Sequence, residues 1–193
     1  MQIITYPHPT LRHASQPVRR VDADLRRIVG EMFELMYAAK GVGLAANQVD
    51  LPVRLFVVNE KADPGAKSLE RVFINPVLSR RKGLVEGEEG CLSLPGLYGE
   101  VSRAEKIFVH AYDLAGNEIK EEVGNMLARV VQHETDHLDG VLFIDRLSST
   151  GRLALKEPLD EFELIFQRQR ERGEIADDAA LVALRAEWEK KYC

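Results

Sequence analysis

Cysteine is scarce: the 193 residues hold two, Cys91 and Cys193, the second at the very end of the chain. That excludes a disulfide scaffold, and a bond from mid-chain to a normally mobile terminus is not expected. Two free thiols suit a reducing compartment, the cytoplasm. No run of about 18 apolar residues occurs, so no membrane span is expected. The opening MQIITYPHPTLRHASQPVRR lacks the apolar stretch of an export signal. A basic excess is missing too, with 26 Lys and Arg against 31 Asp and Glu. This excludes a general electrostatic grip on nucleic acid or anionic lipid, and no nucleic-acid-binding motif stands out. Repeats and low-complexity tracts are also absent. What remains is a chain 45 % hydrophobic, enough for a full core in one domain.

Periodicity supplies the outline. Asp22 or Asp24 can cap a helix carrying Leu25, Ile28, Val29, Met32 and Met36, with Gly41 as its stop. GVGLAANQV breaks the helical pattern, VRLFVVN (53–59) reads as a buried strand, and EKADPGAKSLER as a surface loop. RVFINPVL is a strand candidate interrupted by Pro76. KGLVEGEEGCLSLPGLYGEV reads as short extended pieces between turns, and KIFVHAYDLAGNEIKEEV as a hairpin. Asn125 is placed to cap the next helix and Gly140 to end it. Beyond Ile144 strand signals vanish, and EPLDEFELIFQRQRER and DDAALVALRAEWEKKY read as charged amphipathic helices. A β-rich middle between helical flanks predicts an α+β fold: antiparallel sheets packed around a central helix. The expected division is a catalytic part, residues 1–150, and a helical extension, 151–193, packed on the same domain.

The central helix carries VVQHETDHLDG (130–140). His133 and His137, at i and i+4, share a face and can reach one metal ion, with Glu134 beside them. Glu134 also falls in the apolar stripe of Leu127, Val130, Val131 and Leu138, so desolvation should raise its pKa toward the range of a proton shuttle. Two hydrogen-bonded core histidines would give the same pattern. A catalytic metal normally needs a third protein ligand and an open position.

Downstream, the extended pattern HExxHxxGxxH fails at Phe143, which cannot ligate; Glu157, Glu161 and Glu163 are available but lie in a uniformly acidic stretch. Upstream, Cys91 sits in EEGCLSLPG, in a turn-prone stretch and not a periodic apolar element. His8, His13 and His110 read as structural or solvated. Cys91 with the two histidines, or Glu157 with them, would complete a site.

Three stretches in order, GVGLAANQ (41–48), EGCLS (89–93) and QHETDHLDG (132–140), resemble the signature motifs of the peptide deformylases, as does the opening IITYPHPTLRHASQPV. The likeness spans roughly residues 2–147. It implies hydrolysis of the N-formyl group of formyl-methionine on newly made polypeptides, with release of formate. Cys91, His133 and His137 match the metal ligands, Glu134 the catalytic acid–base, and Gln48 with the Leu92 backbone N–H the oxyanion donors. The implied cofactor is one divalent ion, Fe²⁺ in most members, with Ni²⁺, Co²⁺ or Zn²⁺ able to substitute; metal-bound hydroxide would attack the formyl carbon. The backbones of Val42, Gly43 and Leu44, and of Gly87 to Glu89, would pair with an extended substrate, and Met126 and Val130 would line its methionine pocket. The resemblance also pairs Glu89 with an arginine, for which Arg103 fits. Two other readings compete: a zinc peptidase using His133, His137 and Glu157, and a silent metal-binding protein. An intact Glu134 and Gln48 argue against the latter, since binding alone needs neither. The tail from Leu153 could pack on the domain or make a transient ribosome contact.

Overall fold

The computed structural model describes residues 1–193. Its first long element is helix α1 (Ala23–Ala38), started by the Asp22 carboxylate, which accepts from Leu25 N–H at 2.9 Å. The helix ends three residues before the expected glycine. Lys40 takes the left-handed turn (φ 57°), and Gly41 N–H returns to Met36 C=O at 2.8 Å.

Seven strands follow: β1 (Gly43–Ala45), β2 (Leu55–Val58), β3 (Arg71–Lys82), β4 (Val85–Cys91), β5 (Leu94–Arg103), β6 (Lys106–Tyr112) and β7 (Glu118–Gly124). Helix α2 (Asn125–Leu138) comes next, and the tail holds α3 (Ser149–Ala154), α4 (Lys156–Glu171) and α5 (Asp178–Tyr192). One antiparallel sheet runs β1-β2-β3-β6-β7, and β4 and β5 form a separate two-stranded sheet. The arrangement is α+β, as the sequence predicts.

Strand β2 explains how the layers meet. Leu55 and Val57 pack with α1, while Phe56 and Val58 pack with Ala128, Val130, Val131 and Leu138 of α2. A strand buried on both faces must be apolar throughout, which is why VRLFVV shows no alternation. Helix α2 is therefore lodged between the large sheet and the rest of the chain, and Val130 to Leu138 are buried all round. A third cluster joins Leu94 and Val101 of the hairpin to Ile4, Leu11 and the Leu142–Ile144 stretch after α2.

Three local expectations need correction. The acid- and glycine-rich stretch is a single β4–β5 hairpin, paired from Val85–Arg103 to Gly90–Tyr98 and, after a register shift, at Cys91–Leu94, with Leu92 and Ser93 as its turn. Its side chains gave no strand signal because its pairing is made by backbone. Pro76 does not break β3: it lies in a register shift between Ile74 and Val77, beside Asn75 at φ 52°, so its missing N–H costs no ladder bond. Asn125 makes no capping bond; it takes φ 53°, which asparagine tolerates, and Gly124 holds the cap position. Gly140 does end α2, at φ 73°, where a Cβ would lie 2.6 Å from Arg12 C=O.

The N-terminal segment laces these parts together. Ile4 N–H donates to Gln48 C=O (2.8 Å), Tyr6 N–H to Ser93 C=O (2.9 Å) and Ser15 N–H to Leu138 C=O (2.8 Å). Helix α5 covers that segment. Arg19 N–H donates to Tyr192 C=O at 2.7 Å, and the Tyr192 ring is buried in the α1 cluster. The amphipathic expectation for the tail is only partly met: α5 buries just Leu181 and Tyr192, and α4 has no buried residue. No helix is long and apolar enough to cross a membrane.

Candidate metal centre and active site

Helical spacing on α2 brings the His133 and His137 rings edge to face, with centroids 4.9 Å apart. Cys91 reaches them from the end of β4, immediately before the tight Leu92–Ser93 turn. Its Sγ lies 3.2 Å from His137 Nε2, and one ligand atom from each of Cys91, His133 and His137 lies within 4.8 Å of the other two. Glu157 is exposed on α4 and outside this group, so the His-His-Glu alternative is not assembled. His8 is buried against Thr10 and Asp50, His13 pairs with Glu189, and His110 faces Glu118 at the surface. One thiol and two imidazoles converging at the base of a cleft suit a borderline divalent ion.

The imidazoles are prepared differently. Glu89 Oε2 accepts from His133 Nδ1 at 3.0 Å, which fixes the ring and leaves its other nitrogen for the cluster. Burial works against a charged His133, yet hydrogen bonds to Cys91 and Glu89 push its pKa up to about 10. Burial, then the neighbouring His133, push His137 well below the usual imidazole range, the neutral state a ligand needs. Its Nδ1 has no partner, and Asn47 Nδ2 donates to its C=O.

Glu89 itself is the centre of a buried ionic cluster. Arg103 donates to both its oxygens at 2.9 Å and Arg129 to Oε1 at 2.8 Å. Burial alone would raise this carboxyl, but the Arg103 and His133 hydrogen bonds outweigh it and hold it down at about 2. The pair with Arg103 is buried, not solvated. Arg103 also grips Asp136, which in turn binds Arg146.

On the opposite side, Gln48 Oε1 accepts from Ala45 N–H at 2.9 Å, which sets the amide orientation. Its Nε2 is thereby aimed at Cys91 Sγ (3.4 Å) and Ser93 Oγ (3.2 Å). Glu134 is buried and its Oε2 has no hydrogen-bond partner. Desolvation pushes its pKa up to about 7, against the opposing pull of His133. Gly43 makes room for it: a Cβ there would stand 2.4 Å from Glu134 Oε1.

These groups open into a cleft of about 690 Å³, lined by Gly43, Gln48, Cys91, Leu92, His133 and Glu134 among others. Strand β1 edges the large sheet on one side, and β4 has a partner only in β5. Asn59 N–H donates to Val42 C=O at 2.9 Å, so Val42 and, by alternation, Leu44 turn their backbone groups toward β2. Only Gly43 of the three presents its N–H and C=O to the open edge. Val42 still lines the cleft, whereas the Leu44 side chain packs in the α1 core. Val130 lies inside the cleft and Met126 at its mouth, 50 % exposed. Gly87 and Glu89 are on β4, but the Glu89 side chain faces the arginines. Sequence reasoning did not single out Ser93, Asp136 or Arg129. The available signal was position: Arg129 precedes His133 by one turn and must share its face.

A sequence model of the polypeptide deformylase family matches residues 1–153. The chain is 50 % identical to a peptide deformylase from Rhodopirellula baltica over 194 aligned positions, covering 100 % of this chain and 95 % of that one. It is 45 % identical to a peptide deformylase from Alkalilimnicola ehrlichii over 161, covering 83 % and 89 %. The fold is similar to a crystal structure of peptide deformylase from Plasmodium falciparum, with a TM-score of 0.84 and 35 % identity over 86 % of this chain and 98 % of that one.

Proposed function

Because the chain belongs to the peptide deformylases, a family of enzymes, we propose that it hydrolyses the N-formyl group of formyl-methionyl peptides and releases formate. The observation that carries this reading is the Cys91–His133–His137 convergence beside a buried Glu134 whose carboxyl is pushed up to about 7 and has an unpartnered oxygen. Cys91, His133 and His137 would hold one divalent ion, Fe²⁺ by family resemblance, which when bound supplies Lewis acidity and lowers the pKa of water. Glu134 Oε2 takes a proton from the attacking water and delivers it to the leaving amine nitrogen. Gln48 Nε2 and the Leu92 N–H stabilise the oxygen as charge develops on it. Glu89 keeps His133 in the orientation its ligand role needs.

The substrate backbone pairs with the exposed Gly43 edge and with Gly87 to Glu89, and its methionine enters the apolar part of the cleft beside Val130 and Met126. Residues 1–150 carry the chemistry and 151–193 pack on them. Newly made chains would be met in the cytoplasm, and the exposed face of α4 is the surface available for a transient ribosome contact.

The test is formate release from a formyl-Met tripeptide by protein prepared without oxygen and loaded with Fe²⁺ or Ni²⁺. Turnover is expected in the parent and, with metal content unchanged, a loss on the order of 10²–10⁴-fold in Glu134→Ala. Fully loaded parent protein that releases no formate would overturn the assignment.

A further inference from the structure

Arg129 has more to do than neutralise Glu89. Its side chain is 15 % exposed, and it leaves α2 one turn before His133. One of its amino groups, Nη1, donates to Val101 C=O (2.9 Å), to Gly87 C=O (3.3 Å) and to Glu89 Oε1 (2.8 Å). The other, Nη2, donates to Val85 C=O at 2.9 Å. One guanidinium therefore binds both strands of the β4–β5 hairpin and the carboxylate that orients His133. Gly87 allows the approach, since a Cβ there would stand 3.0 Å from Nη2. Toward its outer end β4 has little other side-chain anchorage: Val85, Glu86 and Glu88 are exposed, and Glu86 and Glu88 make no ion pair.

We propose that Arg129 is a positioning residue for substrate, setting the distance between the β4 wall of the cleft and the metal-binding face of α2. This rests on the deformylase reading above, and it assigns Arg129 to the peptide chain that follows the formyl-methionine, not to the formyl group. A wall strand held by three charge-assisted bonds, with a fourth to its partner strand, is already in the geometry an extended peptide must meet, so binding need not order it. Lysine cannot replace this contact, because a single ammonium cannot span three carbonyls and a carboxylate.

The experiment compares formyl-Met-Ala-Ser with formyl-methionine amide on the parent, Arg129→Gln and Arg129→Lys. Metal content and backbone hydrogen exchange are followed in the same proteins. The expected result is a KM for the tripeptide raised on the order of tenfold or more in both variants, with kcat nearly unchanged. The amide substrate, which has no chain to lay along β4, is affected severalfold less than the tripeptide. Metal is retained, and exchange accelerates across Val85–Glu89 but not in α2. Equal losses on both substrates, loss of metal, or unchanged exchange in β4 would each overturn the inference. The lysine variant keeps the charge and stem should the glutamine variant fold poorly. Absence of turnover by the parent on either substrate is a different result, which removes the deformylase reading and this inference with it.

Discussion

Glu89 and Glu134 flank the same histidine and are driven in opposite directions. Glu134 sits in a dry site with one oxygen unpartnered, so the fold favours its neutral form and lifts its pKa from 4.5 to about 7. Below about 4.5 the group is protonated whether the chain is folded or not. Between about 4.5 and 7 the unfolded chain ionises while the folded protein holds the proton, so stability falls through that window and levels off above it. Metal-free Glu134→Gln is therefore expected to gain on the order of a few kcal/mol over the parent near pH 8 and nothing below pH 4.5, read by urea unfolding. For Glu89, burial is outweighed by Arg103 and His133, and its pKa is lowered to about 2. Its contribution is complete above about 4.5 and is lost as pH falls toward 2. The gap in stability between the parent and Glu89→Gln should accordingly be widest near neutrality and close in acid. The same substitution leaves His133 Nδ1 without its acceptor, and metal affinity should fall roughly 10- to 100-fold. A pH-independent gap would refute the assigned role.

At the scale of elements, β1 shows how little space the site tolerates. Replacing Gly43 by alanine places a Cβ 2.4 Å from Glu134 Oε1 and 2.9 Å from Val130 Cγ1. The backbone there is ordinary extended strand, so the protein should fold and bind metal. The displaced carboxylate should cost roughly 10²-fold in kcat; measured turnover near that of the parent would show that the carboxylate can shift without harm. Which elements were legible in the sequence follows from what carries their information. Helix α2 was readable because HETDH fixes a face and Gly140 an end. Strand β2 was readable because both of its faces are buried. The β4–β5 hairpin was not, since Glu86, Glu88 and Glu100 are exposed among its glycines and leave no apolar alternation to read. Of the ionic cluster, Glu89 and Arg103 could be anticipated from the family likeness. Asp136 and Arg146 could not, because their meeting depends on where the chain turns after Gly140.

For the molecule as a whole, the tail beyond the matched family region is structural at its far end. Tyr192 is 1 % exposed in the core around α1, next to Asp24 and the Arg19 amide. Tyr192→Ala should destabilise by about 3–5 kcal/mol, lowering Tm by roughly 6–20 °C, and should leave kcat unchanged well below the new Tm. A Tm within a degree of the parent would mean that α5 is only loosely attached. The sequence showed helices in this region but not their partner, because two buried residues three turns apart leave no periodic trace.

The lacing of Ile4, Tyr6 and Ser15 to Gln48, Ser93 and Leu138 also has a meaning in time. During synthesis these early residues wait for acceptors that lie 44, 87 and 123 positions further along the chain, and for a covering helix that comes later still. Contacts so distant in sequence close late and slowly. A half-made chain thus owns the residues of its first motif without the acceptors that lace the N-terminal segment over them.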